Sequence, residues 1–281
     1  MQQTQIFNDD CLKILKKIES NSIDSIVTDP PAGIGFLGHK WDANKGGRDQ
    51  WVEWMSTIMT ECFRVLKPGG HMIVWALPRT SHWTATAVES AGFDIRDIIT
   101  HIFNSGVPTS GDITKRIDKE LGVESKVIGF KQNPCSRYYN GKTRTTPIPI
   151  LEPQSDEAKK WKGWMPKLKP ASEHWILARK PLSEKNLAKN IIKHRTGLLN
   201  IGGCKVKSYD EKEIDKVAKL RFPTNIVVSH HNDCNDNECS PICKVVEFDK
   251  QANLKSSDYF NTFFYSPKAP KHERLEGVVN E

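Results

Sequence analysis

The stretch Ser25-Ile26-Val27-Thr28-Asp29-Pro30-Pro31-Ala32-Gly33 carries the reading of the fold. Its first four residues form a short, β-branched run that reads as a strand. Two successive prolines then end it, because neither offers an N–H to a sheet ladder, so the chain leaves the sheet stiff and extended at Asp29. Working outward, Ile6-Phe7 reads as a short strand and Asp10 as the cap of a helix over residues 11–18. Downstream come a helix over 50–66, the turn Lys67-Pro68-Gly69-Gly70 and an apolar strand over 71–76. A helix over 81–91, a stop at Gly92 and a strand over 93–103 complete a third repeat. Three such repeats predict an α/β fold with an open, doubly wound sheet, whose ligands bind at the carboxyl ends of the strands. Asp29 stands at such an end.

The pattern loosens after residue 104. A short helix over 113–121 and a basic stretch from Lys131 to Arg144 read as an insertion, followed by a strand over 173–179 expected to pair with the strand over 93–103. The expected organisation is a core over 1–105, a basic insertion over 106–170, a returning core strand within 171–185, and a polar C-terminal region over 186–281. No internal repeat is visible.

Composition narrows the class. The 281 residues are 37% hydrophobic, enough for a core, and no run approaches the roughly 18 apolar residues of a membrane span. The start, MQQTQIFNDD, lacks the basic and apolar regions of a signal peptide, so a cytoplasmic address is expected. Seven cysteines, an odd number, argue against a disulfide framework in that setting. The net charge of +7 suits a phosphate-bearing partner and many other proteins besides. Of the eight tryptophans, Trp41, Trp161, Trp164 and Trp175 sit beside polar or basic residues, where an aromatic serves either core packing or base stacking.

At the Asp29 turn, the Asp29 carboxylate and the Pro30 carbonyl are two acceptors held in fixed directions. That arrangement suits the two protons of an aromatic amine, whose delocalised lone pair makes it a poor nucleophile until hydrogen bonds favour a tetrahedral nitrogen. A plain rigid turn is the other reading of the same residues.

The surroundings of the turn resemble the N6-adenine and N4-cytosine DNA methyltransferases, in particular the permuted class of phage and restriction-modification enzymes. The matching segments are Asn8-Asp9-Asp10-Cys11-Leu12, Ile26 through Pro31, Val65-Leu66-Lys67-Pro68-Gly69-Gly70-His71, Leu168-Lys169-Pro170-Ala171-Ser172-Glu173 and Ala178-Arg179-Lys180-Pro181. Phe263-Phe264-Tyr265-Ser266-Pro267-Lys268-Ala269 and Glu273-Arg274 follow in the family's order. The resemblance implies a Rossmann-like class I methyltransferase sheet, S-adenosylmethionine as cofactor and double-stranded DNA as partner. Asp29, Pro30 and Pro31 then become the amine-binding catalytic residues. Ala32 takes the place where the family has Tyr, Phe or Trp to stack on the flipped base, which passes that role to Phe36 or Trp41. An aspartate at the head of this motif favours adenine N6, with cytosine N4 and a catalytically inactive DNA-binding protein of the same fold as the alternatives. Asp9 or Asp10 would lie near the adenosyl part of the cofactor, although Asp10 reads equally well as a helix cap.

In the permuted order a glycine-rich cofactor loop should follow Glu273-Arg274, and these 281 residues do not contain it. The run Gly33 to Gly38 matches a dinucleotide fingerprint by spacing, but the polar, Gly-rich residues 37–48 give no helix to follow it. A second chain supplying the loop, a truncated product and an inactive relic are the three expectations. Two further features remain. His231, Cys234, Cys239 and Cys243 have the spacing of a structural zinc knuckle within the 186–281 region, read as target-recognising; a hydrophilic loop with free thiols is the alternative. Lys131, Arg137, Lys142 and Arg144 in the insertion, with Lys185, Lys189, Lys193 and Arg195 beyond it, are the candidate phosphate ligands.

Overall fold

The computed structural model describes residues 4–103, 112–131, 147–208, 219–231, 233–234, 238–252 and 260–263. The chain divides into two units, one made of residues 1–104 and 171–281, the other of residues 105–170. The C-terminal region is therefore part of the core unit, and two of its strands join the core sheet.

In the core unit the helices are α1 (Cys11–Leu15), α2 (Arg48–Val65), α3 (Ser81–Ser90), α6 (Leu187–His194) and α7 (Lys244–Ala252). The strands are β1 (Ile23–Thr28), β2 (Leu66–Ala76), β3 (Asp94–Ile102), β6 (Ser172–Arg179), β9 (Ile226–Ser229) and β10 (Asn261–Phe263), with a separate ribbon of β7 (Val206–Ser208) and β8 (Lys219–Arg221). The main sheet runs β1-β2-β6-β3-β9-β10. β6 lies antiparallel between β2 and β3, whereas β1 with β2 and the β3, β9, β10 group are parallel pairs. This is the Rossmann-like α/β sheet expected, with the returning strand inserted between β2 and β3.

The core follows from a helical stripe. Trp51, Met55, Met59 and Cys62 fall on one face of α2 and pack with Leu66, Met72, Val74 and Ala76 of β2, Ile176 and Ala178 of β6, and Ala87 and Val88 of α3. Each large side chain so buried contributes roughly 1.5–3 kcal/mol. Lys180, just past β6, fastens the end of α2: its Nζ donates to the carbonyls of Phe63 and Leu66 and to Asn21 Oδ1 at 2.7–2.8 Å. Burial, with the Arg64 charge behind it, lowers the Lys180 ammonium below its ordinary pKa.

Two expectations are corrected here. Ile6 and Phe7 form no strand and are exposed, since no described strand lies beyond β1 to pair with them. Lys67-Pro68-Gly69-Gly70 is an irregularity inside β2 and not a turn before it: Ile23 pairs with Leu66, and Ser25 already pairs with His71. Distant residues clasp it. Asn190 Nδ2 and Thr196 Oγ1 both donate to the Pro68 carbonyl, at 2.9 and 2.6 Å. Gly69 has φ +85°, and a Cβ there would meet Asn190 Nδ2 at 2.5 Å, so only glycine fits.

The other unit holds α4 (Thr114–Glu120), the antiparallel pair β4 (Lys126–Lys131) and β5 (Ile148–Glu152), and α5 (Asp156–Lys160). Its hub is Asp118, whose carboxylate accepts from Ser155 Oγ, Ser125 Oγ and the backbone N–H groups of Gln154 and Ser155 at 2.6–3.0 Å. Those four bonds, the Ser155 hydroxyl first, hold its carboxyl well below the usual carboxylate range.

Candidate active site

β1 delivers Asp29, Pro30 and Pro31 to the carboxyl end of the sheet, where they wall a cavity of about 390 Å³. Its other walls are Ala32, Ile34, Phe36, Trp41, Asp42 and Trp75. Both aromatics proposed from sequence are thus present, each more than half exposed. Trp41 is backed by His39 in a stacked arrangement, ring centroids 5.9 Å apart and 18° from coplanar. Ala32, nearly buried, forms wall and offers no ring.

The loop over residues 33–42 is held by a residue that sequence reasoning passed over. Asp42 is 1% exposed, and its two carboxylate oxygens accept from Gly33 N at 2.9 Å and Phe36 N at 2.7 Å. The Asp42 carbonyl accepts from Gly35 N at 2.7 Å. Gly33 adopts φ +72°, and a Cβ on it would lie 2.6 Å from Trp51 Nε1, so the loop presses on the first turn of α2 without room for a side chain. The glycines here shape a loop over the cavity and do not begin a dinucleotide-binding helix: Phe36–Gly38 is a single 3-10 turn.

Trp75, near the end of β2, was also missed. Its indole hydrogen-bonds to Glu173 of β6, which also pairs with His101 Nδ1 of β3 at 3.3 Å. The His101 bond, with Trp75 assisting, holds the Glu173 carboxyl below its ordinary value. The position of Trp75 at a strand's carboxyl end was the available signal. A second cavity, about 550 Å³, shares Gly33, Ile34 and Gly35 with this loop and is lined further by Ala43, Asn44, Arg79, Thr80 and Trp83.

Asp9 and Asp10 line neither cavity. Asp10 Oδ1 caps α1 through Leu12 N and Lys13 N, and Asp9 Oδ1 accepts from Asp10 N and Lys13 Nζ. Lys193 is paired with Glu184, Arg195 closes α6 with φ +59°, and Lys131 is exposed at the end of β4. Arg137, Lys142 and Arg144 lie outside the described residues. In the cysteine cluster the structure corrects the histidine: His230, and not His231, joins Cys234, Cys239 and Cys243, with all four ligand atoms within 4.8 Å of one another. His231 Nδ1 instead meets Asp233 at 3.3 Å.

The sheet order, the lone antiparallel strand and an Asp-Pro-Pro turn over a ligand-sized cavity define an α/β protein of the methyltransferase type. Residues 23–232 match the DNA methylase model of N6- and N4-methyltransferases, and the chain belongs to that family. The type II methyltransferase M.HindIII of Haemophilus influenzae is 26% identical over 232 residues, covering 69% of this chain and 64% of that one. The DNA adenine methyltransferase YhdJ of Escherichia coli is 38% identical over 73 residues, 25% of this chain and 23% of its own length. Among solved structures, the cytosine-N4-specific PvuII DNA methyltransferase covers 88% of this chain and 62% of its own, with a TM-score of 0.37 and 12% identity. The chain spans less than two thirds of the length of the curated relatives it matches. No described helix is long and apolar enough to cross a membrane.

Proposed function

We propose that this chain carries the amine-binding half of a site-specific DNA methyltransferase acting on adenine N6 with S-adenosylmethionine as methyl donor. The observation behind it is the cavity in which Asp29, Pro30 and Pro31 face Phe36, Trp41 and Trp75. Asp29 and the Pro30 carbonyl accept the two amine protons, which localises the nitrogen lone pair for attack. The aromatic walls take the face of a base turned out of the duplex. The neighbouring cavity, with Arg79 on its wall, would take that nucleotide's phosphate. S-adenosylmethionine supplies, when bound, a methyl group on a cationic sulfur. Among this chain's own residues, Asp9 or Asp10, whose Oδ1 atoms take the local bonds, would face its adenosyl part.

The methionine end of the donor has no glycine-rich cradle among the described residues. Among the described strands β1 is the last on its side of the sheet, and Val27 near its carboxyl end is 72% exposed. A parallel strand from a second chain, or from further sequence, added along β1 would bring such a loop beside Asp29. Zinc has no catalytic part in this reading.

The test is incubation with labelled S-adenosylmethionine and unmethylated duplex DNA, followed by digestion to nucleosides and mass spectrometry. The expected product is N6-methyladenine. N4-methylcytosine would refute the choice of base, and DNA binding without label incorporation, in the presence of the strand-supplying partner, would leave the inactive DNA-binding protein as the answer.

A further inference from the structure

We infer that His230, Cys234, Cys239 and Cys243 form a tetrahedral zinc site that locks the end of β9 to the start of α7. His230 Nδ1 lies 3.4 Å from Cys239 Sγ and 3.6 Å from Cys243 Sγ. A tetrahedral zinc with ordinary Zn–N and Zn–S bonds requires an N···S edge of about 3.6 Å and an S···S edge of about 3.8 Å. Those two N···S edges already match, and all four ligand atoms lie within 4.8 Å of one another, close enough for small side-chain adjustments to close the tetrahedron on an ion. Three soft thiolates with an imidazole select zinc over harder cations.

The surroundings suit bound thiolates. Ser240 N donates to Cys234 Sγ at 3.2 Å, as outer-shell donors to ligand sulfurs do. Cys243 is fully buried, and its carbonyl accepts the Glu247 N–H at the start of α7. A thiolate at that helix start also meets the favourable end of the macrodipole.

The consequence reaches the cavity. β9 has four residues and β10 three described ones, short of the usual length of roughly five or six, so a tie at the end of β9 adds to what its ladder supplies. Ser229, one residue before His230, bonds His101 Nε2 at 3.3 Å, and His101 bonds Glu173, the partner of Trp75. The metal thus anchors the far end of a chain of contacts that steadies one cavity wall. The site itself stands whether or not the proposed methyl transfer does.

The experiment is elemental analysis of the full chain purified without added metal. One zinc per chain is expected, with His231→Ala keeping it and His230→Ala, Cys239→Ser and Cys243→Ser each losing at least nine tenths. Because a ligand variant can fail to fold, the wild-type chain is also reconstituted with cobalt, which should show intense tetrahedral d–d bands and thiolate charge transfer. Wild-type protein that neither retains zinc nor gives that spectrum overturns the inference. So do a disulfide among the three cysteines, or zinc lost from His231→Ala and kept by His230→Ala.

Discussion

Replacing Asp42 by asparagine separates the loop clamp from the rest of the fold. The aspartate holds two backbone N–H groups, one on each oxygen, at 2.9 and 2.7 Å. Asparagine keeps one acceptor and turns an NH₂ group toward the other N–H. One charge-assisted bond is lost, worth about 1.5–3 kcal/mol, and the survivor falls to an ordinary bond of about 1 kcal/mol. The total cost is about 3 kcal/mol, or up to roughly a hundredfold in the population of the ordered loop. Asp42 is absent from the core cluster of α2, β2, α3 and β6, so the unfolding midpoint should move far less than the activity. The assay is methyl transfer to a saturating range of duplex DNA, read as kcat/KM, with a urea melt in parallel. A folded D42N protein whose kcat/KM stays within roughly threefold of wild type, under about 0.7 kcal/mol, would refute the clamp.

Asp29→Ala should abolish turnover while DNA binding, measured by gel shift, stays largely intact; equal turnover removes Asp29 from the reaction. Trp41→Ala should weaken binding of DNA carrying 2-aminopurine at the target by about 1–3 kcal/mol, and more than Phe36→Ala does, because His39 already orients the Trp41 ring. Asn190→Ala should cost about 3 kcal/mol in a urea melt, since the Thr196 carbonyl and the Ser183 N–H both lose their partner while Pro68 keeps Thr196 Oγ1. The Glu173 carboxyl is lowered in the folded state, so its stabilisation is present above its ordinary value of 4.5 and disappears as pH falls through the lower folded one. Glu173→Gln should flatten that acid limb of the stability profile, and an unchanged limb would deny the Glu173 contribution.

What was legible in the sequence was local. Two prolines after a β-branched run leave one physical option, so β1 and the place of Asp29 follow from Ser25 to Pro31 alone. The strand over 173–179 was legible for a related reason: an apolar run returning after a polar insertion has to bury itself beside another strand. The failures share a different cause. Lys67 to Gly70 looks like a turn until Asn190 and Thr196, more than a hundred residues away, hold Pro68 within β2. Ile6 and Phe7 have strand composition, yet a strand needs a neighbour to bond. β9 and β10 are short segments whose membership in the core sheet depends on β3, and nothing in their own composition announces it. Of the two adjacent histidines spacing favours His231, separated by two residues from Cys234, and only the folded chain shows His230 Nδ1 beside the thiols.

Ala32 shows how the site compensates for a residue that departs from its family's pattern. A methyl group there cannot stack on a base, yet it also removes a ring that would fill the cavity floor beside Pro31. The aromatic surface is supplied instead from two directions: Phe36 and Trp41 from a loop that Asp42 closes, and Trp75 from β2, tied back to Glu173. The loop rings are exposed and the strand ring is tethered. A base taken up as proposed would meet a tethered wall and a wall whose position depends on the hydrogen bonds of Asp42. On the proposed reading, ordering the loop counts as much as the Asp-Pro-Pro turn, and for that reason the buried carboxylate of Asp42 belongs with Asp29 in the proposed amine site.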